Sequence, residues 1–219
     1  MTDETRLTID VDGTPVGAIA ARPDGATATV VVAHGAGAGM EHPFLSGFTR
    51  ALNARGLATL RFNFAYIEQG RRMPGRPPAA IAAWRAVMDR VRADAPGPVW
   101  AAGKSYGGRM ASMAVAEGMP AAGLVFLGYP LHPPGRPDRL RDEHLPGLTL
   151  PMRFVQGTND PFATPNEQLD DLVARIGPNA TVDWIAGGGH SFEVKGRKRP
   201  PEDVAADLAP RVAEFVRSH

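Results

Sequence analysis

The sequence predicts an α/β chain built on a doubly wound, mostly parallel sheet, with an antiparallel hairpin at the N-terminal edge. Three observations carry that expectation. From residue 29 onward, short strand-like runs alternate with segments of helical spacing. The run Thr29–Ala33 (T-V-V-V-A) is β-branched and lacks polar alternation, as a strand buried on both faces does. The Gly-rich and polar stretches fall after the strands, at the edge where open α/β sheets bind their ligands.

Taken in order, Arg6–Val11 and Val16–Arg22 alternate apolar and polar residues, and Asp12-Gly13 supplies the tight turn of a hairpin. Thr29–Ala33 is the first buried strand. Pro43–Arg55 reads as a helix stopped by Gly56, and Leu57–Phe62 as the next strand. Pro78–Ala93 places Ile81, Trp84, Val87, Met88 and Val91 at helical spacing behind prolines suited to a first turn. Strand Val99–Ala102, helix Ser105–Glu117, strand Gly123–Leu127, strand Leu150–Gln156, helix Pro165–Ile176 and strand Thr181–Ile185 follow. Glu202–Arg217 closes the chain as one amphipathic helix. No internal repeat and no long linker interrupts this series, so residues 1–219 are expected to form a single domain.

Composition excludes several classes. The chain has 24 Lys+Arg against 23 Asp+Glu, a formal charge of +1, so no global field draws it to nucleic acid or an acidic membrane. It has no cysteine, which rules out disulfides, a Cys nucleophile and thiolate zinc sites. The start, Met1-Thr2-Asp3-Glu4-Thr5, is polar and acidic, and no segment approaches the roughly 18 apolar residues of a membrane span. A soluble cytoplasmic protein is the expectation.

The motif that carries chemistry is G-K-S-Y-G-G, Gly103 to Gly108, directly after Val99–Ala102. A serine at a sharp strand-to-helix turn is held out of the backbone, with the next peptide N–H aimed at whatever its hydroxyl attacks. Glycines flank it because a Cβ would collide with the neighbouring strand and helix. Asp160 (in Q-G-T-N-D-P-F) and His190 (in G-G-G-H-S-F) follow, giving the order Ser, acid, His. Ser105 needs a base, and His190 is placed to take its proton and return it to the leaving group. Asp160 would hold the imidazole in its tautomer, with Asp138, Asp142 and Asp170 as competitors. For the oxyanion, the N–H of Tyr106 is one expected donor; Ala36, with Gly37 next, supplies the other from H-G-A-G-A-G-M (34–40). His34 reads as a brace for that loop. A bare N-cap is the competing role for Ser105.

Other readings of the same glycines fail on spacing. A phosphate-binding loop ending in Gly103-Lys104-Ser105 needs a glycine at position 98, which is Pro. A dinucleotide fingerprint at 34–40 ends on Met40 instead of a third glycine, and Asn63 stands where a ribose-binding acid belongs. The six histidines show no H-E-x-x-H, and Asp142-Glu143-His144 are too close in sequence to share a helix face. No cofactor and no metal are expected.

The nucleophile turn and the Ser-acid-His order resemble the α/β-hydrolase superfamily over essentially the whole chain. L-R-F-N-F-A-Y-I-E-Q-G-R-R (60–72), G-K-S-Y-G-G-R-M (103–110), L-G-Y-P-L-H-P-P-G-R-P (127–137), F-V-Q-G-T-N-D-P-F (154–162) and G-H-S-F (189–192) are similar to one compact branch of it. That branch includes dienelactone-hydrolase-like bacterial proteins, testis-expressed protein thirty and the third subunit of the NSL chromatin complex. The resemblance implies an α/β-hydrolase fold and acyl-transfer chemistry on a small-molecule substrate. Ser105 replaces the Cys of true dienelactone hydrolases, which argues against that reaction. The chromatin member implies a non-catalytic scaffold as the alternative.

Phe44, Phe64, Tyr66, Tyr106, Tyr129, Phe162 and Phe192 sit on or beside the expected active edge. Of these, Phe44, Phe64, Tyr129, Phe162 and Phe192 are candidates to line an apolar acyl site. Arg71 and Arg72, with Arg76, are candidates for an anionic substrate group, and Lys195, Arg197, Lys198 and Arg199 form a second basic run. The stretch from Gly128 to about Leu148, where relatives insert a lid, is short and holds Pro130, Pro133, Pro134, Pro137 and Pro146. At most one short helix, around Asp138–His144, is expected there, and no lid domain.

Overall fold

In the computed structural model, which describes residues 2–219, eight strands form one sheet. Strands β1 (Glu4–Val11) and β2 (Thr14–Ala21) make the antiparallel hairpin, turned by Asp12 and Gly13, both at positive φ. That is the primed geometry whose twist suits a two-residue hairpin. Behind it come β3 (Thr29–Ala33), β4 (Ala58–Phe62), β5 (Val99–Lys104), β6 (Leu124–Leu127), β7 (Met152–Gly157) and β8 (Ala180–Ile185). The order across the sheet is β1-β2-β4-β3-β5-β6-β7-β8. β2 joins β4 antiparallel, and every pairing from β4 to β8 is parallel.

Helices cover both faces, which is why β3, β4, β5 and β6 are buried at every position. One layer holds α3 (Pro77–Asp94), α4 (Tyr106–Ala116) and α5 (Glu167–Ile176), packed through Trp84, Met88, Met110 and Leu172. The other holds α1 (Pro43–Asn53) with α6 (Pro201–Ala206) and α7 (Ala209–Ser218), packed through Phe48, Leu52, Val212 and Phe215. The chain steps from β3 to β4 on one side and then to β5 on the other. The strand order therefore reverses between β3 and β5, the kind of switch point outside which open α/β sheets bind their ligands.

Two details depart from the sequence expectation, and a third falls inside it. A four-residue helix α2 (Ala65–Glu68) follows β4, too short for a periodic signal. The C-terminal helix is two, α6 and α7, broken at Asp207–Leu208. Pro210 lacks the N–H that would continue the ladder, and its ring crowds the preceding turn. The Gly128–Leu148 segment has no helix at Asp138–His144, and its regular element is one 3-10 turn at Leu145–Gly147. The segment closes on itself, with the Tyr129 hydroxyl donating to the Arg141 carbonyl at 2.7 Å and Arg141 N–H to the Leu131 carbonyl at 2.8 Å, and it buries Tyr129, Leu131 and Leu145 in the core.

Candidate active site

Ser105 leaves β5 with φ +50° and ψ −114°, a conformation costly for any residue with a side chain. The surrounding backbone holds it there. Its N–H donates to the Leu127 carbonyl at 3.0 Å, and its carbonyl accepts from Arg109 at 3.1 Å as α4 begins. The turn closes only because the flanking residues are glycines. A Cβ on Gly103 would stand 2.1 Å from the Gly108 nitrogen, and one on Gly107 would stand 2.6 Å from the His34 carbonyl oxygen. Trp84 locks the first turn of α4 from the far side, donating from Nε1 to the Gly107 carbonyl at 3.0 Å.

The structure brings Ser105, His190 and Asp160 into one hydrogen-bonded chain. Ser105 Oγ lies 2.8 Å from His190 Nε2, and His190 Nδ1 lies 2.8 Å from Asp160 Oδ2. An acceptor-only carboxylate at Nδ1 puts the proton on that nitrogen and leaves Nε2 to accept from the serine hydroxyl. Asp160 is fully buried, whereas the His190 side chain keeps 23% exposure. The carboxylate takes two further donors, Phe162 N–H on Oδ1 at 2.9 Å and Gln156 Nε2 on Oδ2 at 2.6 Å. Gln156 is itself held by Tyr129 N–H at 2.7 Å, so a side chain from inside β7 fixes the acid's orientation. Gln156 is no candidate in the sequence reading above; the one signal it carries there is a polar residue inside an apolar strand, four positions before Asp160.

The competing acids are engaged elsewhere. Asp138 is exposed on Arg136, whose hydrogen bond draws its carboxyl below the usual range. Asp142 pairs with Arg175, and Asp170 accepts from Trp184.

Beside Ser105 stands the loop after β3. A Cβ on Gly35 would lie 3.7 Å from Ser105 Cβ, which sets this loop against the Ser105 turn. Gly35–Ala38 is a turn closed by Ala38 N–H on the Gly35 carbonyl, with Ala36 and Gly37 central and Gly37 at φ +77°. Tyr106 is the first residue of α4, so its N–H has no partner within the helix. His34 braces the loop: Nδ1 donates to the Gly35 carbonyl at 2.7 Å and Nε2 accepts from Phe64 N–H at 3.2 Å. Burial pushes its imidazole down to about 4, against the upward pull of the Gly35 carbonyl. The loop's far end is pinned by Asn63, whose Oδ1 accepts from Met40 N–H at 2.7 Å.

The aromatic candidates divide. Phe162 is partly exposed, its ring 4.3 Å from the His190 ring. Phe44, Phe64, Tyr129 and Phe192 are core residues, 1–3% exposed; they floor the site and do not line it. Phe44 stacks on Phe192 at 5.9 Å beneath His190's loop, and Phe64 packs edge-on against His34 at 5.0 Å. Arg71 and Arg72 are exposed, and the Arg72 carbonyl oxygen lies 3.6 Å from the position a Gly37 side chain would take. Among the described residues no three His, Asp or Glu side chains gather as a metal site, and no helix is long and apolar enough to cross a membrane.

A profile of the family described as alpha/beta hydrolase domain matches residues 26–217. Solved structures share the architecture across nearly the whole chain. A dienelactone hydrolase from Anabaena variabilis is similar at 22% identity with a TM-score of 0.79, covering 100% of this chain and 98% of that one. A serine hydrolase without a lid from Xanthomonas campestris is similar at 21% identity and TM-score 0.76, covering 100% and 95%. A cold-adapted esterase from an Arctic intertidal metagenomic library is similar at 18% identity and TM-score 0.71, covering 98% and 94%.

Proposed function

The chain belongs to the alpha/beta hydrolase domain family, and from that premise we propose that it is a serine hydrolase cleaving a small ester or related acyl substrate through an acyl-enzyme. The observation that carries this reading is the unbroken chain Ser105 Oγ–His190 Nε2, His190 Nδ1–Asp160 Oδ2, at 2.8 Å for each link. Ser105 Oγ attacks the acyl carbon as its proton passes to His190 Nε2. Asp160 keeps Nδ1–H in place and stabilises the imidazolium. The Tyr106 and Ala36 N–H groups, with Gly37 beside them, receive the negative charge that develops on the carbonyl oxygen. As the tetrahedral species collapses, Nε2–H protonates the departing alcohol. Water then repeats the sequence on the acyl-enzyme, releasing the acid and restoring Ser105.

The proposal takes residues 1–219 as one cytoplasmic hydrolase domain. Kinship with testis-expressed protein thirty and the third NSL subunit, carried by the blocks at 60–72, 103–110, 127–137, 154–162 and 189–192, belongs to the same reading. Arg71 and Arg72, exposed near the Gly37 turn, are its candidates for an anionic substrate group.

A fluorophosphonate tests it. The probe should add to Ser105 in the wild type and fail to add in Ser105→Ala or His190→Ala, with kcat on reactive esters falling on the order of 10⁴–10⁶-fold in both. Asp160→Asn should stay folded with turnover greatly lowered, because an amide favours the other tautomer, while Asp138→Asn stays near wild type. A folded wild type that neither labels nor hydrolyses any ester would point to the scaffold alternative.

A further inference from the structure

Lys104 is the last residue of β5, directly before Ser105, and is only 8% exposed. An ammonium stripped of water is expensive unless paired, so an enclosed lysine ordinarily sits against a carboxylate. Lys104 takes part in none of the ion pairs formed among the described residues. Its Nζ lies under Gly128, at the end of β6. A Cβ built there would stand 3.3 Å from Nζ, 3.6 Å from His190 Nδ1 and 3.0 Å from the His190 carbonyl oxygen. The ammonium and the imidazole edge that faces Asp160 are therefore neighbours across a gap of methyl size, at a position whose φ of +70° favours glycine. The Phe192 ring covers the same Nζ, its centroid 5.9 Å away. The charges facing Lys104 are Asp160, from the loop after β7, and Glu193, from the loop after β8. From the β3 side it meets backbone at Gly35, 3.7 Å from Lys104 Cγ to a Cβ there.

We infer that Lys104 is a positioning charge behind the Asp160–His190 pair: its ammonium favours the ionised carboxylate and opposes the imidazolium, so the base stays free to lower pH than the pair alone would allow. A like charge close by disfavours the charged form of a group, and an opposite charge favours it. Both effects leave the Nε2 lone pair available to Ser105. The low-dielectric setting, walled by Phe192 and the ends of β5 and β6, keeps the interaction from being screened as it would be at the surface. Burial pushes the Lys104 ammonium down to about 8, with Asp160 first and Glu193 second pulling it back up. The charge is thus present through neutral pH and lost above it, which gives the device a window.

In its effect on rate the inference rests on the serine-hydrolase reading; the coupling itself belongs to the resting protein. Lys104→Met removes the charge and keeps the stem. Its kcat/KM should fall about tenfold against wild type at pH 6, and the two should converge above pH 9, where the wild-type lysine is neutral as well. Lys104→Arg, charged at every pH, should keep the wild-type acid limb. A loss of equal size at all pH values would assign Lys104 to packing and overturn the inference. The second measurement needs no substrate: the His190 ring signals in NMR spectra, titrated in wild type and Lys104→Met. Their midpoint should rise by about one pH unit in the variant, and an unmoved midpoint overturns the inference whether or not esters are cleaved. If Lys104→Met does not fold, wild type carrying ¹³C-labelled lysine serves. The His190 signals should then show a second inflection where the Lys104 ε-carbon titrates, and its absence is equally decisive against the coupling. Coupling without ester hydrolysis would sink the hydrolase reading and leave this one standing.

Discussion

Buried between the ends of β3 and β4, the His34 imidazole donates from one nitrogen and accepts on the other, and a second proton would break the link to Phe64 N–H. Its folded value of about 4 lies below the 6.5 of an exposed imidazole. Between those two values the unfolded chain binds more protons than the folded one. The stability owed to neutral His34 is therefore fully present above pH 6.5 and is lost as pH falls toward 4. A shift of that size corresponds to about 3 kcal/mol. Urea unfolding of the wild type should show that loss across the window, and His34→Gln, which cannot take up the proton, should show a much flatter curve there. An equal slope in the variant would mean that other groups govern acid sensitivity. That Ser105, Asp160 and His190 come together was legible at this same scale, because each occupies a glycine-flanked or turn position directly after a strand. Lys104 and Gln156 were not, since a lone polar residue at a strand end carries no spacing partner to compare it with. The aromatic residues Phe44, Phe64, Tyr129 and Phe192 follow strands just as Phe162 does, and nothing in a linear pattern separates a ring that faces the cleft from one folded beneath it.

At the level of elements, helix α1 meets α6 through Gly47. A Cβ there would stand 2.3 Å from the Glu202 carbonyl oxygen and 2.5 Å from its Cα. Two effects oppose each other in Gly47→Ala. Helix propensity favours alanine by about 1 kcal/mol. Overpacking against rigid backbone costs about 1–3 kcal/mol, and a clash this deep belongs at the upper end. The net expectation is a loss of roughly 1–2 kcal/mol, read as a lower urea midpoint with unchanged slope. A gain in stability would show that α6 moves aside at no cost. Periodicity marked the long helices well, since Trp84, Met88 and Val91 repeat on one face of α3. It merged α6 with α7 because the apolar stripe runs on past Pro210, where the backbone cannot. It missed α2, whose four residues make little more than one turn.

Across the whole molecule, the segment between β6 and β7 bears on how much of the proposed acyl substrate could be enclosed. From Gly128 to Leu148 it contains one 3-10 turn, is closed on itself through Tyr129, Leu131 and Arg141, and is tied to β7 and the loop after it through the N–H groups of Gly128, Tyr129 and His132. Such a rim leaves a long aliphatic chain largely in water, where added methylenes forgo the roughly 0.8 kcal/mol each gains on burial. On p-nitrophenyl esters kcat/KM should therefore peak at short acyl groups and decline beyond them; a steady rise through long chains would reveal an enclosed acyl tunnel. The links from His190 reach back 30 residues to Asp160 and 85 to Ser105, and they join the ends of β5, β7 and β8. Contacts that span so much chain form slowly, after the local pieces they connect. A chain that has assembled only its first five strands carries a serine no more reactive than any other. If Ser105 is the proposed nucleophile, its labelling by the fluorophosphonate should clock the final stage of refolding, starting only when the last strand has taken its place beside β7.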